Sequence, residues 1–278
     1  MKLCWLSRVY EREIEVKTLL LEEMTSPQIR RAIEEGYRTV IVAAGSIEQH
    51  GRHLPIGMDT MGGYSMALSI AEGLGHTLVA PVIRPGCSDH HMAFPATISI
   101  SADLLKELCR AYCRCLSEHG FERIVLFASH GGNIEPMKEV ALELDAELPC
   151  IVVSPNILQD PRVEEATDPI LDRYGVTREE GGIHSGFVET SLLLASSYDY
   201  LVDMQAAERG FVGDVWARIE EAKKVGRWSM ADITPVGVLG DPTKASAEAG
   251  REMIAATGPV YVEIVREALR SNAGQARG

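Results

Sequence analysis

At 278 residues with 46% hydrophobic content, the chain can bury a sizeable core, and no Pro/Ser-rich stretch or charge run divides it, so a single domain over residues 1–278 is expected. The net charge of -13 argues against a nucleic-acid partner, which needs a basic face, and no run approaches the roughly 18 apolar residues of a membrane span. The charged opening, residues 1–17, is unlike a secretory signal, and the six cysteines lack CxxC spacing and read as reduced and mostly buried, so a cytoplasmic protein is expected.

In chain order, residues 3–16 carry a weak strand signal. Thr25-Ser26-Pro27 is a helix start, a hydroxyl followed by proline in the first turn, leading through residues 28–35 to a stop at Gly36. Residues 38–44 form an apolar strand that delivers Gly45-Ser46-Ile47-Glu48-Gln49-His50-Gly51-Arg52-His53-Leu54-Pro55. Glu48 and His50 alternate, so in extended backbone both point to one side and each can reach a metal. Asp59 stands before a helical run at 60–72, where a carboxylate caps the helix and lies against its positive end. Taken alone, these residues fit an ordinary polar loop and a helix cap as well as half a metal site.

Residues 76–82 read as a second strand, and 84–95 as a loop rich in functional groups that suits a cleft wall. Residues 102–118 are a helix by period, with Leu104, Leu105, Leu108, Tyr112 and Leu116 on one apolar face. After Gly120, the strand 123–128 opens onto Ser129-His130-Gly131-Gly132-Asn133 and a helix at 134–147, repeating the order of strand, histidine, glycine turn and helix. Adjacent parallel strands would bring His130 to the same sheet edge as Glu48 and His50, where ligands gather in an open α/β sheet.

Residues 150–154 are a further strand, and the charged stretch 155–180 receives no element. In the run 181–191, His184 and Glu189 are five apart, not quite on one helical face, so they need not share a task. Glu189 beside an apolar helix is costly to bury unless a metal or cation compensates it; a solvated first-turn glutamate is the alternative. Residues 198–226 read as helical and mixed in charge, with Trp216 packing inward. Gly237 to Pro242 form a turn before a C-terminal helix that runs through Gly258-Pro259 and frays from Ser271.

As a set, Glu48-x-His50-Gly51-x-His53-Leu54-Pro55-x3-Asp59, the loop Gly86-x-Ser88-x2-His91-x2-Phe94-Pro95-x-Thr97, the His130-Gly131-Gly132-Asn133 turn, the His184 to Ser191 run and Gly237-Val238-x-Gly240-Asp241-Pro242 resemble the creatininase family of metal-dependent amidohydrolases over residues 18–270. The resemblance implies an α/β fold, a three-layer α/β/α sandwich with a mainly parallel sheet, and two divalent metal ions at the carboxyl ends of the strands. Carried over by position, Glu48, Asp59 and His130 hold one ion and His50, Asp59 and Glu189 the other, with Asp59 bridging. Imidazole and carboxylate suit zinc, manganese or iron, and no thiolate is offered. His184 is then the general acid/base, Ser88 and His91 belong to the substrate wall, and the backbone N–H groups of Gly131 and Gly132 are oxyanion donors.

The reaction this implies is hydrolysis of a carbon–nitrogen amide bond, of cyclic amide or formamide type, in a small polar substrate, through a metal-bridging water. A carbon–carbon hydrolase acting on a cyclic β-diketone shares the same centre, and a non-catalytic metal-binding protein is a further alternative. The family resemblance also implies a homo-oligomer, a hexamer, in which residues 155–183 contribute to a neighbour's cleft. Creatininases proper are similar but carry a glutamate where this chain has Gly132, and tryptophans over the substrate; here no tryptophan lies between residues 6 and 215, so creatinine is not the expected substrate.

Overall fold

A computed structural model describes residues 17–224, 226 and 228–273; the strand expected at 3–16 lies outside them. Among the described residues, β1 (Thr39–Ala44), β2 (Thr77–Val79), β3 (Arg123–Ala128) and β4 (Ile151–Val153) form one parallel sheet in the order β2-β1-β3-β4. Helix α1 (Ser26–Glu34) precedes β1, α2 (Met58–Leu74) follows it, α3 (Ala102–Glu118) leads into β3, and α4 (Ile134–Glu147) joins β3 to β4. Beyond the sheet come α5 (Pro161–Arg173), α6 (Arg178–Gly181), α7 (Phe187–Leu194), α8 (Val215–Lys224) and α9 (Ala247–Ala273).

Strand alternation explains the layers. Val40, Val42 and Ala44 turn to one face with Ile124 and Leu126, where Ala32 of α1, Leu105 and Cys109 of α3 and Met137 and Leu144 of α4 cover them. Ile41 and Ala43 turn to the other with Val125 and Phe127, beneath Ala67 and Ile70 of α2 and Ile264 and Val265 of α9. Helices on both faces leave every residue of β1 buried, which is why its sequence is apolar from Val40 to Ala44. The result is the three-layer α/β/α arrangement that the motifs imply.

The structure departs from the sequence reading at several points; the stretch 198–226, for instance, forms an α-helix among its described residues only at Val215–Lys224. Leu104 is 49% exposed, because the stripe of α3 that meets the sheet is Leu105, Cys109 and Cys113, spaced one turn apart. Asp59 is not a cap: α2 starts at Met58 after Gly57, and Asp59 stands inside its first turn. β2 and β4 are three residues each, shorter than the apolar runs that hold them. The charged stretch 155–180 contains α5, capped by Asp160 with Pro161 in its first turn, and its Ile170 and Leu171 are buried beside Phe187 and Met253 of its own chain. Trp216 is 58% exposed on α8. Among the described residues, no helix is long and apolar enough to cross a membrane.

Candidate metal centre

Because Ala44 of β1 stands opposite Ala128 of β3, the chains leaving both strands emerge at one edge of the sheet. Gly45 then permits a close approach: a Cβ there would lie 2.8 Å from the backbone of Asp59 and Thr60, so the first turn of α2 rests directly on the strand exit. Asn133 ties the segments together, its Nδ2 donating to the carbonyls of Ala44 (3.1 Å) and Gly45 (2.9 Å) while its Oδ1 accepts from the Cys87 N–H (2.9 Å). Ser129 Oγ donates to the Asp59 carbonyl at 2.8 Å.

This scaffold gathers carboxylates and imidazoles from distant parts of the sequence. His130 Nδ1 is 3.3 Å from both Glu48 Oε2 and Asp59 Oδ2. His50 Nε2 is 3.3 Å from Asp59 Oδ1 and 4.0 Å from Glu189 Oε2. Asp59 thus presents one oxygen to each histidine. Glu189, in the first turn of α7, is held by the Ser185 N–H at 2.5 Å, and Ser185 adopts a left-handed φ of 56° to make that turn. His184 brings Nδ1 to 3.8 Å from Glu48 Oε1, and its ring lies 4.3 Å from that of His50. Three sets, Glu48/His50/Asp59, His50/His184/Glu189 and Glu48/His91/His184, each offer ligand atoms within 4.8 Å of one another.

The hydrogen bonds aim the ring lone pairs. His50 Nδ1–H donates to the Glu48 carbonyl (3.1 Å) and His130 Nε2–H to the Cys87 carbonyl (3.1 Å), so the opposite nitrogen of each ring faces the carboxylates as an acceptor. Glu48 Oε1 and Oε2, His50 Nε2 and Asp59 Oδ2 are buried without a hydrogen-bond donor. Acceptors converging on acceptors in a buried site repel unless cations or protons lie between them. Protons fill that role in the metal-free protein. Burial works against charging His50, but Asp59 and then Glu189 and Glu48 carry it up to about 10. His130 is likewise raised well above the usual imidazole range against its burial, chiefly by Glu48. Burial would lift Glu48 and Asp59, yet the imidazoles outweigh it, His130 foremost for Glu48 and His50 for Asp59, and both carboxyls are lowered. Burial pushes Glu189 up to about 7, with His50 opposing, and holds His184 down to about 3, reinforced by His50. The donor set fits a divalent cation, which would replace those protons.

Residues 22–265 match the creatininase family model, described as creatinine amidohydrolase. The chain belongs to the creatininase family. It is 30% identical over 225 residues to the mycofactocin precursor peptide peptidase of Mycobacterium ulcerans, covering 78% of this chain and 80% of that one. It is 26% identical over 268 residues to the 3-dehydro-scyllo-inosose hydrolase of Thermotoga maritima, covering 88% and 82%. The crystal structure of a creatinine amidohydrolase (creatininase) superposes with a TM-score of 0.71 at 24% identity over 91% of this chain and 98% of that one, a likeness of fold. Membership in this family makes the chain a hydrolase whose chemistry depends on a divalent metal.

Against that family background, Gly132 has a steric reason. A Cβ there would stand 2.1 Å from the Cys87 carbonyl and 2.7 Å from His130 Nε2, so a side chain at this position requires the turn to move, and glycine stands where creatininases proper carry a glutamate. Gly131 and Gly132 open a short 3-10 turn directly after His130. Ser88 and His91, expected in the substrate wall, are buried to 0% and 1% exposure and lie against the cluster. Ser88 Oγ bonds Ser46 Oγ and approaches His130 Nε2 at 3.4 Å. His91 Nε2 is 3.3 Å from Glu48 Oε1, and burial, then His184, lowers its pKa.

Four residues of the site carried no assigned role in the sequence. Asn133 and Gln49 are buried amides beside the ligands, flagged only by being polar where the chain leaves a buried strand. His53 Nε2 bonds Thr190 Oγ1 at 2.8 Å and joins the first motif to α7. Trp228 stacks on His90 at 5.0 Å, and His90 on His130 at 5.7 Å, so an aromatic column that ends in a tryptophan beyond residue 215 reaches the cluster.

Proposed function

We propose that this chain hydrolyses a carbon–nitrogen amide bond at a pair of divalent cations held by Glu48, Asp59 and His130 on one side and by His50, Asp59 and Glu189 on the other. The observation that carries the reading is the set of buried acceptors without donors, Glu48 Oε1 and Oε2, His50 Nε2 and Asp59 Oδ2, aimed at one another. When bound, such ions polarise a carbonyl and make water a usable nucleophile at neutral pH. The protein groups do the rest: Asp59 offers an oxygen toward each histidine, and His184 stands within reach to move a proton to the leaving nitrogen. The N–H groups of Gly131 and Gly132 are the oxyanion donors of this reading.

Two features support extending the substrate from a cyclic amide or formamide to a peptide amide. One is the 30% identity to a relative named as a peptidase. The other is exposed apolar surface next to site residues in the chain or by a backbone bond: Met92 follows His91, Ile183 precedes His184, and the Ile56 carbonyl accepts the Glu48 N–H. Apolar surface of this kind suits the side chains of a peptide better than a small polar ring. A second reading, cleavage of a carbon–carbon bond in a cyclic ketone, is favoured by the similarity to the 3-dehydro-scyllo-inosose hydrolase. The resemblance further supports a homo-oligomer, which a solution mass of one chain would remove.

The test is a panel of short peptides, formamides, cyclic amides and cyclic diketones, assayed after loading with zinc, manganese or iron, with Glu48→Gln and His184→Ala alongside. Turnover of an amide, lost with metal in the first variant and lost with metal retained in the second, is the expected result. Turnover of the diketones alone selects the second reading, and full activity without bound metal removes both.

A further inference from the structure

Gln49 lies between the two residues that open the first motif, is 5% exposed, and serves neither as ligand nor as acid. Its amide orientation is fixed by two backbone groups: Oε1 accepts the Gly51 N–H at 2.9 Å, and Nε2 donates to the Gly237 carbonyl at 3.0 Å. Gly237 belongs to this arrangement, since a Cβ there would lie 1.9 Å from Gln49 Oε1, and its φ of 73° suits glycine. With Oε1 and one amide proton committed, the second proton faces His91 Nδ1 at 2.9 Å.

That leaves the His91 ring no choice. Its Nδ1 must accept, so its proton sits on Nε2, which faces Glu48 Oε1 at 3.3 Å. His184 is constrained from the same residue: its Nε2 is 2.9 Å from the Gln49 backbone carbonyl, a group that can only accept, and 3.1 Å from the Gln49 amide nitrogen, whose two protons are already directed elsewhere. The His184 proton therefore sits on Nε2, and its Nδ1 lone pair points toward Glu48. We propose that Gln49 is a positioning residue that fixes two tautomers at once, placing the His91 proton on Nε2, the side of the ring that faces Glu48, and leaving His184 with an inward-facing lone pair at Nδ1.

The consequence is a division of labour between two histidines whose surroundings look alike. The Glu48/His91/His184 set offers three ligand atoms within 4.8 Å, yet with Nε2 protonated His91 cannot ligate, so this set is not a third metal site. His91 instead turns its Nε2–H side toward Glu48. His184 can take up a proton at Nδ1 and so serve the hydrolysis proposed above; this catalytic consequence rests on that reading, whereas the tautomers do not.

The experiment is long-range 1H–15N correlation on protein carrying 15N-labelled histidine, metal-free and zinc-loaded, with the two rings assigned by loss of their signals in H91Q and H184Q. Both rings should show the Nε2–H tautomer in the wild-type protein. Gln49→Glu replaces the donor facing His91 with an acceptor, so the His91 proton should move to Nδ1, and kcat/KM on the amide turned over by wild type should fall about 10- to 100-fold. Gln49→Met, similar in shape but without the donor, should leave His91 a mixture of both tautomers. An Nδ1–H tautomer at His91 or at His184 in wild type overturns the proposal even where the variants do not fold, and so do unchanged His91 tautomers in folded Gln49→Glu. Absence of amide turnover by wild type would sink the hydrolase reading while leaving this assignment standing.

Discussion

Loading the metal-free protein with zinc should release protons, and their number should depend on pH in a way set by one residue. His50, carried up to about 10, and His130, raised well above its usual range, both hold a proton through neutral pH, and each must give it up to expose a lone pair. Glu189, pushed up to about 7 by burial, is about nine-tenths protonated at pH 6 and about one-tenth at pH 8. Displacement from these three groups therefore amounts to about three protons at pH 6 and about two at pH 8. His184 and His91, both lowered, contribute none. The sign follows from the groups themselves: protons compete with the cation, so apparent affinity falls as pH falls, by about two to three decades per unit. Titration calorimetry in buffers of different ionisation enthalpy reads the count directly. Glu189→Gln should remove the step between pH 6 and pH 8 while keeping the two protons of the histidines. A release that is zero, or that shows the same step in Glu189→Gln, would refute the assignment of these groups to the cation.

Three further outcomes follow from the packing. Gly132→Ala would drive a methyl into the Cys87 carbonyl and the His130 ring, so a loss of about 1–3 kcal/mol in denaturant melts should accompany weakened zinc binding; normal binding would show that the turn yields. Phe127→Ala empties a fully buried position beneath α2 and α9 and should lower the unfolding free energy by about 3–5 kcal/mol, read from urea midpoints. Thr190→Val removes the partner of His53 Nε2 inside the protein and should cost about 1–3 kcal/mol of stability with zinc affinity kept within a few-fold, since the bond it removes involves none of the proposed ligand side chains; a large loss of affinity would place His53 in the centre itself.

The sequence by itself determined the layered plan and the kinds of side chain at the strand exits. Residues 102–118, 123–128 and 134–147 are the elements the periodicity marks, because a helix stripe and a strand buried on both faces leave different spacings of apolar residues. Glu48, His50 and His130 could be expected together because parallel neighbours leave a sheet at one edge, and β1 and β3 do pair. The resemblance carried Asp59 and Glu189 to the same place, but only the fold decided how they arrive: Asp59 inside the first turn of α2 rather than capping it, and Glu189 on α7 where Ser185 turns the chain. The fold alone also closed Ser88 and His91 away from solvent, ordered α5 within a charged stretch, and left Trp216 outside. The physical reason is the range of the forces involved. Periodicity records which face of an element loses water, a property local to the element, whereas the ownership of a hydrogen bond such as that of Gln49 with Gly237, 188 residues away, exists only once packing has brought both groups to one point.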